Sequence, residues 1–249
     1  MKSESLNISF LFVYLYEVGC FYMKENMKAA LKASIPVMMG YVVLGMAFGM
    51  LLESKGYNFI YALLMSVFIY AGSMQFVAIN LLTSGATLIN AAIMTLLINA
   101  RHLVYGLSMI KRFENMGALK PYMIFSLTDE TYSLLVGSKA PDGCDDKYYL
   151  FFISFFDQCY WVLGSLIGSL IGSLLTINTT GLDFAMTALF VVIVLEQFLT
   201  SKKHIYTYLG FFISIVCLLI FGSDAFIIPS MIGIIVGLLL LYKGGKQNA

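Results

Sequence analysis

The chain has 249 residues, of which 60% are hydrophobic and 12% charged, where an ordinary soluble domain carries about 25% charged residues. Fifteen Lys and Arg against fourteen Asp and Glu leave a net charge of +1, which provides no basic footprint for nucleic acid. Together with a mean hydropathy of +0.87, this excludes a soluble enzyme, a DNA-binding protein and a disordered tail, and leaves an integral membrane protein.

The first stretch, Leu6 to Met23, is apolar and aromatic but contains Asn7 and Glu17. Lys2 precedes it as in a signal sequence, yet no A-x-A cleavage pattern follows. Residues 1–27 are therefore expected to be an extension outside the fold, and 28–245 a single transmembrane transport domain. Beyond Lys32 come long charge-free gaps, such as the one between Lys55 and Arg101. Barrel strands would alternate apolar with polar over about ten residues. Val67-Phe68-Ile69-Tyr70 and Leu238-Leu239-Leu240-Leu241 are instead apolar on every side. The expected fold is all-α: a polytopic transmembrane helical bundle of about seven spans, each needing about 20 apolar residues.

In chain order the spans fall at 35–52, 59–82, 86–110, 148–175, 183–199, 205–222 and 225–242, with a shorter, more polar piece at 121–137. Pro36, Pro121 and Pro229 suit first helical turns, where the missing N–H is tolerated. The piece 148–175 is long enough to tilt, to project beyond the bilayer, or to break near its glycines. Basic clusters at 24–32, 111–120, 202–203 and 243–246 all become cytoplasmic only if one segment in each of the first two intervals enters and leaves on the same side. The segments that fit are 59–82, interrupted by Ala71-Gly72-Ser73, and 121–137, so one or two spans are read as broken or re-entrant. The row Gly40, Gly45, Gly49 is echoed by Gly164, Gly168, Gly172, so two structural repeats are a further expectation. The same small-residue spacing also permits close helix packing.

Ionisable and polar side chains within apolar spans are candidates for function, because each is expensive in lipid. Asn99, Arg101, His102 and Tyr105 form one group, with Arg101 roughly 22 Å into its segment at 1.5 Å per residue. The alternative places Arg101 at the interface, with its stem snorkelling. Thr128, Asp129, Glu130 and Thr131 fit the start of a half-helix capped by Thr128 or Asp129, or else a solvated loop end. A carboxylate there could pair with Arg101, take a coupling proton or meet a substrate ammonium. Ser73 and Gln75 lie in the interrupted span, while Asp157, Gln158 and Glu196 are secondary candidates in later ones. Asp142, Asp145 and Asp146 read as a solvated loop rather than a metal site. The chain has no phosphate-binding glycine loop, no H-E-x-x-H and no G-x-S-x-G, so no cofactor is expected and transport would follow a gradient.

Three motifs in order, Ala71-Gly72-Ser73-Met74-Gln75-Phe76, Leu96-Leu97-Ile98-Asn99-Ala100-Arg101-His102-Leu103-Val104-Tyr105 and Leu127-Thr128-Asp129-Glu130, resemble the AzlC family of branched-chain amino acid permeases. Gly40-Tyr41 with Ala47-Phe48-Gly49 upstream, and Gly181-Leu182-Asp183-Phe184-Ala185 downstream, extend the resemblance over about residues 28–245; Met74 stands where a small residue would be expected. The resemblance implies an exporter of apolar amino acids in a bacterial cytoplasmic membrane, working with a small AzlD-type membrane partner. Two other classes remain open from the residues alone. One is an intramembrane enzyme acting on lipid through Asp129, Glu130 and His102; the other is a channel or scaffold subunit of a membrane complex.

Overall fold

Four polar side chains fix where helices begin. Asn58, Thr87, Thr128 and Asp145 each accept a hydrogen bond from a backbone N–H two or three residues on, which satisfies a donor that the first turn leaves over. The computed structural model describes residues 2–175, 181, 184–200 and 204–247, with side chains from Met23 onward and gaps in the later helices. Its helices are α1 (Lys2–Ser54), α2 (Phe59–Phe68), α3 (Gly72–Thr83), α4 (Leu88–Met109), α5 (Lys120–Phe125), α6 (Asp129–Gly137), α7 (Asp146–Leu174), α8 (Phe184–Thr200), α9 (Ile205–Ala225) and α10 (Ile227–Gln247). A 3-10 stretch, Glu114–Leu119, precedes α5, and no strand occurs among the described residues.

Among the described residues, three helical segments are long and apolar enough to cross a bilayer: Met23–Ser54, Asp146–Leu174 and Ile205–Gly222. The pair Leu88–Leu96 and Ile98–Met109, bent by 41°, makes a fourth if taken as one span. The expected seven are therefore not reached among the described residues. The span read at 59–82 is two helices, α2 and α3, of 10 and 12 residues, and at about 1.5 Å per residue neither alone covers the hydrocarbon. The piece 121–137 is likewise two, α5 and α6. In the last expected span the shorter apolar helix is Ile232–Leu241. The 29 residues of α7 run unbroken past their glycines.

Pro36 departs from expectation. It lies inside α1 rather than in a first turn. A proline there removes one intrahelical bond and crowds the preceding turn, but the flanking turns are held from outside. Ser34, just before it, bonds Tyr160 of α7 at 3.0 Å, and the two helices remain in contact for several turns beyond.

The glycines explain that contact. A Cβ on Gly45 would lie 3.0 Å from backbone atoms of Trp161 and Ser165, and one on Gly49 would fall onto the backbone of Ser165 and Ser169. From the other side, Gly164 meets Tyr41 and Val42, Gly168 meets Met46, and Gly172 meets Met50 and Glu53. The two glycine rows that echo each other in sequence are thus the two faces of one close helix pair, the packing small residues make possible in lipid. Gly40, by contrast, has open space around it.

The chain divides into two units at Ala185/Met186. In the first, a core of Phe113, Met123, Leu127, Leu135, Leu150 and Ile153 ties the α5–α6 region to the start of α7. A second cluster stacks Phe48 of α1 on Trp161 of α7, with Phe76 of α3 edge-on at 5.7 Å. In the second unit, Gly233 and Gly237 of α10 pack on Ile213 and Leu209 of α9. Phe198 of α8 lies 4.3 Å from the His204 ring and edge-on to Tyr208.

Candidate functional site

Both short helix pairs break for local reasons. After Phe68 the N–H groups of Ile69 and Tyr70 turn back onto the same Met65 carbonyl. Tyr70 then adopts φ +43°, a left-handed conformation rare for an aromatic residue. Gly72 opens α3 against the Trp161 ring, which a Cβ at this position would approach to 3.0 Å. The end of α2 is not left bare: Gln158 of α7 donates Nε2–H to the Val67 carbonyl at 3.1 Å while its Oε1 accepts from Tyr122. At the second break, Ser126 donates its N–H to the Tyr122 carbonyl, and Thr128 caps α6 through the Thr131 N–H.

Arg101 of α4 connects the two restarted helices. Its Nη2 donates to Ser73 Oγ in the first turn of α3 and pairs with Asp129 Oδ2 in the first turn of α6 at 2.9 Å. Their side chains are 26% and 12% exposed, so the pair is sheltered but reachable. One turn on, Tyr105 donates to the other oxygen, Asp129 Oδ1, and its ring stacks on Tyr132 with centroids 4.4 Å apart. Ser108 donates to the Tyr132 hydroxyl at 3.0 Å and so steadies the stack.

The cap on α6 leads inward from there. Glu130 Oε2 accepts from the Tyr41 hydroxyl at 2.9 Å, and Tyr41 also bonds Thr128 Oγ1. Thr128 bonds Thr131 Oγ1 at 3.0 Å, and Thr131 donates to Asp157 Oδ2 at 2.9 Å. Tyr41, Thr128, Thr131 and Asp157 are all buried.

Of the residues expected to act together, Ser73, Arg101, Tyr105, Thr128, Asp129 and Glu130 do converge, and Asp157 joins them through Thr131. His102 lies beside them, edge-on to Tyr105, with Nδ1 against the Asn99 carbonyl of its own helix at 3.1 Å. Asn99 is half-buried, and among the described residues its Oδ1 has no hydrogen-bond partner. Gln75 is fully buried and engaged at both ends, by Trp161 Nε1 and by Ser66 Oγ. The Glu196 side chain lies outside the described residues. Asp145 and Asp146 serve the start of α7: the first caps it, and the second faces Arg112 at 3.5 Å.

Sequence reasoning missed Tyr41 and Tyr132, and placed Thr131 in the second polar group without giving it a role. Tyrosine is ordinary in membrane helices, and of these two only Tyr41, following Gly40 in a charge-free run, stood within a quoted motif. The placement of restarted helix ends around a charged pair is the arrangement by which discontinuous helices form polar sites at membrane depth.

Comparison with known proteins agrees with the motifs. The family described as AzlC protein matches residues 36–175. A membrane protein of Helicobacter pylori (strain 26695) without an assigned role is 43% identical over 224 residues, covering 89% of this chain and 98% of its own. The branched-chain amino acid transport protein AzlC of Bacillus subtilis is 41% identical over 216 residues, 87% of this chain and 85% of the relative. The inner membrane protein YgaZ of Escherichia coli is 28% identical over 139 residues, 55% of this chain and 57% of its own. No solved structure matches.

Proposed function

The chain belongs to the AzlC family, and on that premise we propose that it is a secondary transporter that exports branched-chain and similar apolar amino acids across the cytoplasmic (inner) membrane. A zwitterionic substrate needs a positive pole for its carboxylate, an anion for its ammonium and an apolar wall for its side chain. Arg101 and the first-turn amides of α3 would supply the first: the N-cap, Ala71, brings no side chain to those amides. Asp129 and Glu130 would supply the second, and one of these carboxyls would also carry the coupling proton. The single observation that carries the reading is Arg101 joining Ser73 at the head of one half-helix to Asp129 at the head of the other. Substrate entering the site would exchange with that ion pair, each pole replacing one internal partner. The partner proposed is a small AzlD-type membrane protein.

The test is counterflow of labelled leucine and valine in vesicles holding purified protein, with and without a co-expressed small membrane partner. Accumulation against unlabelled internal leucine is expected. Its absence in both preparations, with correctly inserted protein, would remove the transport reading. A chemical change in the added lipid under the same conditions would favour an intramembrane enzyme.

A further inference from the structure

Four hydrogen bonds link Glu130 to Asp157 through three hydroxyl groups: Glu130–Tyr41, Tyr41–Thr128, Thr128–Thr131 and Thr131–Asp157. A hydroxyl supplies one proton and accepts through its lone pairs. Three hydroxyls therefore supply three of the four protons the chain needs. With both carboxyls ionised, Tyr41 and Thr131 both point outward to them, Thr128 can serve one neighbour only, and one link must open. A single proton held by either carboxyl closes every link.

We propose that Glu130 and Asp157 share one proton through a relay built from Tyr41, Thr128 and Thr131, which makes Asp157 a second proton-carrying carboxyl of this transporter. Its use in coupling rests on the transport reading above. When Glu130 holds the proton, its O–H donates to Tyr41, Tyr41 to Thr128, Thr128 to Thr131, and Thr131 to Asp157 Oδ2. Transfer breaks the Glu130 O–H bond and forms one to Tyr41, while each hydroxyl hands its own proton to the next. The last proton ends on Asp157. All three hydroxyls finish neutral, and the negative charge has moved from Asp157 to Glu130.

The surroundings suit a sealed store and an accessible port. Asp157 is buried, its Oδ1 has no hydrogen-bond partner, and no cation pairs with it among the described residues, a setting in which a lasting negative charge is costly. Glu130 is only partly buried, next to the Arg101–Asp129 pair. The titratable groups facing Asp157 are Tyr41 of α1, Tyr70 from the α2–α3 break, Tyr122 from α5 and Glu130 from α6. Those facing Glu130 are Tyr41 of α1, Tyr70 from the α2–α3 break, Arg101 and Tyr105 of α4, Asp157 of α7, and Asp129 beside it. Arg101 is the cation in this set, and it serves the Glu130 end, so substrate binding there would alter what Glu130 feels before Asp157 does.

Two measurements on the full chain, reconstituted with any partner it requires, decide the matter. The first compares leucine flow driven by an imposed pH difference with counterflow at equal pH. Thr131→Val, which removes one hydroxyl and with it the last two links but neither carboxyl, is expected to lower the ratio of pH-driven flow to counterflow on the order of a hundredfold, the usual scale for losing a positioned proton carrier. Thr131→Ser should restore it. The second is infrared difference spectroscopy in H2O and D2O, which reads the protonated carboxyl directly and needs no transport. Its signal should change in both Glu130→Gln and Asp157→Asn. A wild-type ratio in Thr131→Val together with an infrared signal untouched by Asp157→Asn overturns the relay. Should wild-type counterflow itself be missing, the transport reading fails, and the infrared result still decides whether the proton is shared.

Discussion

Arg101 and Tyr105 lie one turn apart on α4 and end on opposite oxygens of the same carboxylate, Asp129 Oδ2 and Oδ1. Residues four apart share a helix face, so a single rigid segment clamps the first turn of α6. Arg101 alone also reaches α3, through Ser73.

Arg101→Ala removes both the clamp and the bridge. The pair is sheltered but not sealed, so the loss is about 1–3 kcal/mol rather than the larger figure for a fully buried pair. Leucine and valine efflux should fall to background while the amount of protein in the membrane stays near wild type. Asp129→Asn should behave in the same way. Efflux assays paired with immunoblots of membranes check both, and normal efflux by both variants would take the pair out of the mechanism.

Tyr105→Phe is milder. It keeps the ring stacked on Tyr132 and deletes one hydroxyl bound to a carboxylate, an interaction worth about 1.5–3 kcal/mol. The concentration for half-maximal counterflow should rise roughly tenfold or more, each 1.4 kcal/mol being a factor of ten. An unchanged value would show that Asp129 needs only Arg101 to stay in place.

How much of this was legible beforehand depends on the kind of signal. The charge-free gaps disclosed membrane helices, and Ala71-Gly72-Ser73 and Thr128-Asp129-Glu130 disclosed the two breaks, because backbone interruptions need small or capping residues. Arg101 and Asp129 stood out because charge is rare in such sequence. Their pairing was one of several possibilities, since no local rule relates α4 to α6. Pro36 misled, because a local preference for first turns was overridden by packing along α7. The roles of the Tyr41 and Thr131 hydroxyls were not legible, although Thr131 stood in the polar group, because they are set by partners 87 and 26 residues away. The glycine echo was visible, but nothing local said that its two halves touch.

That contact yields a paired prediction. Gly49→Leu places a side chain onto the backbone of Ser165 and Ser169, where no rotamer can relieve it, and overpacking of this kind costs about 1–3 kcal/mol or more. Gly40→Ala meets open space inside α1 and should keep or raise stability, by up to about 0.5–1 kcal/mol, since alanine is the better helix former. Thermal unfolding of the detergent-extracted proteins should therefore separate the two. Equal melting of both variants would mean that α1 and α7 are not packed through these glycines.

Gln75 poses a different question, because a buried amide in a broken span can either greet a substrate or hold the fold. Its Oε1 accepts from Trp161 Nε1 at 2.8 Å, and its Nε2 donates to Ser66, which donates in turn to Ser165. With both ends engaged and no exposed surface, the amide pins α3 to α2 and α7. Gln75→Leu would strand the indole N–H, at about 1–3 kcal/mol for an unsatisfied buried group, while Ser66 keeps its bond to Ser165. Trp161 is the single tryptophan of the chain, so its fluorescence reports on this site alone. The variant should melt at lower temperature and emit at shorter wavelength, with the indole deprived of its acceptor. The half-saturating leucine concentration of the protein that remains folded should stay within about twofold of wild type, since a pin acts on stability and uniform loss of binding would appear in affinity. A large rise in that concentration with unchanged melting would instead put Gln75 in contact with the substrate.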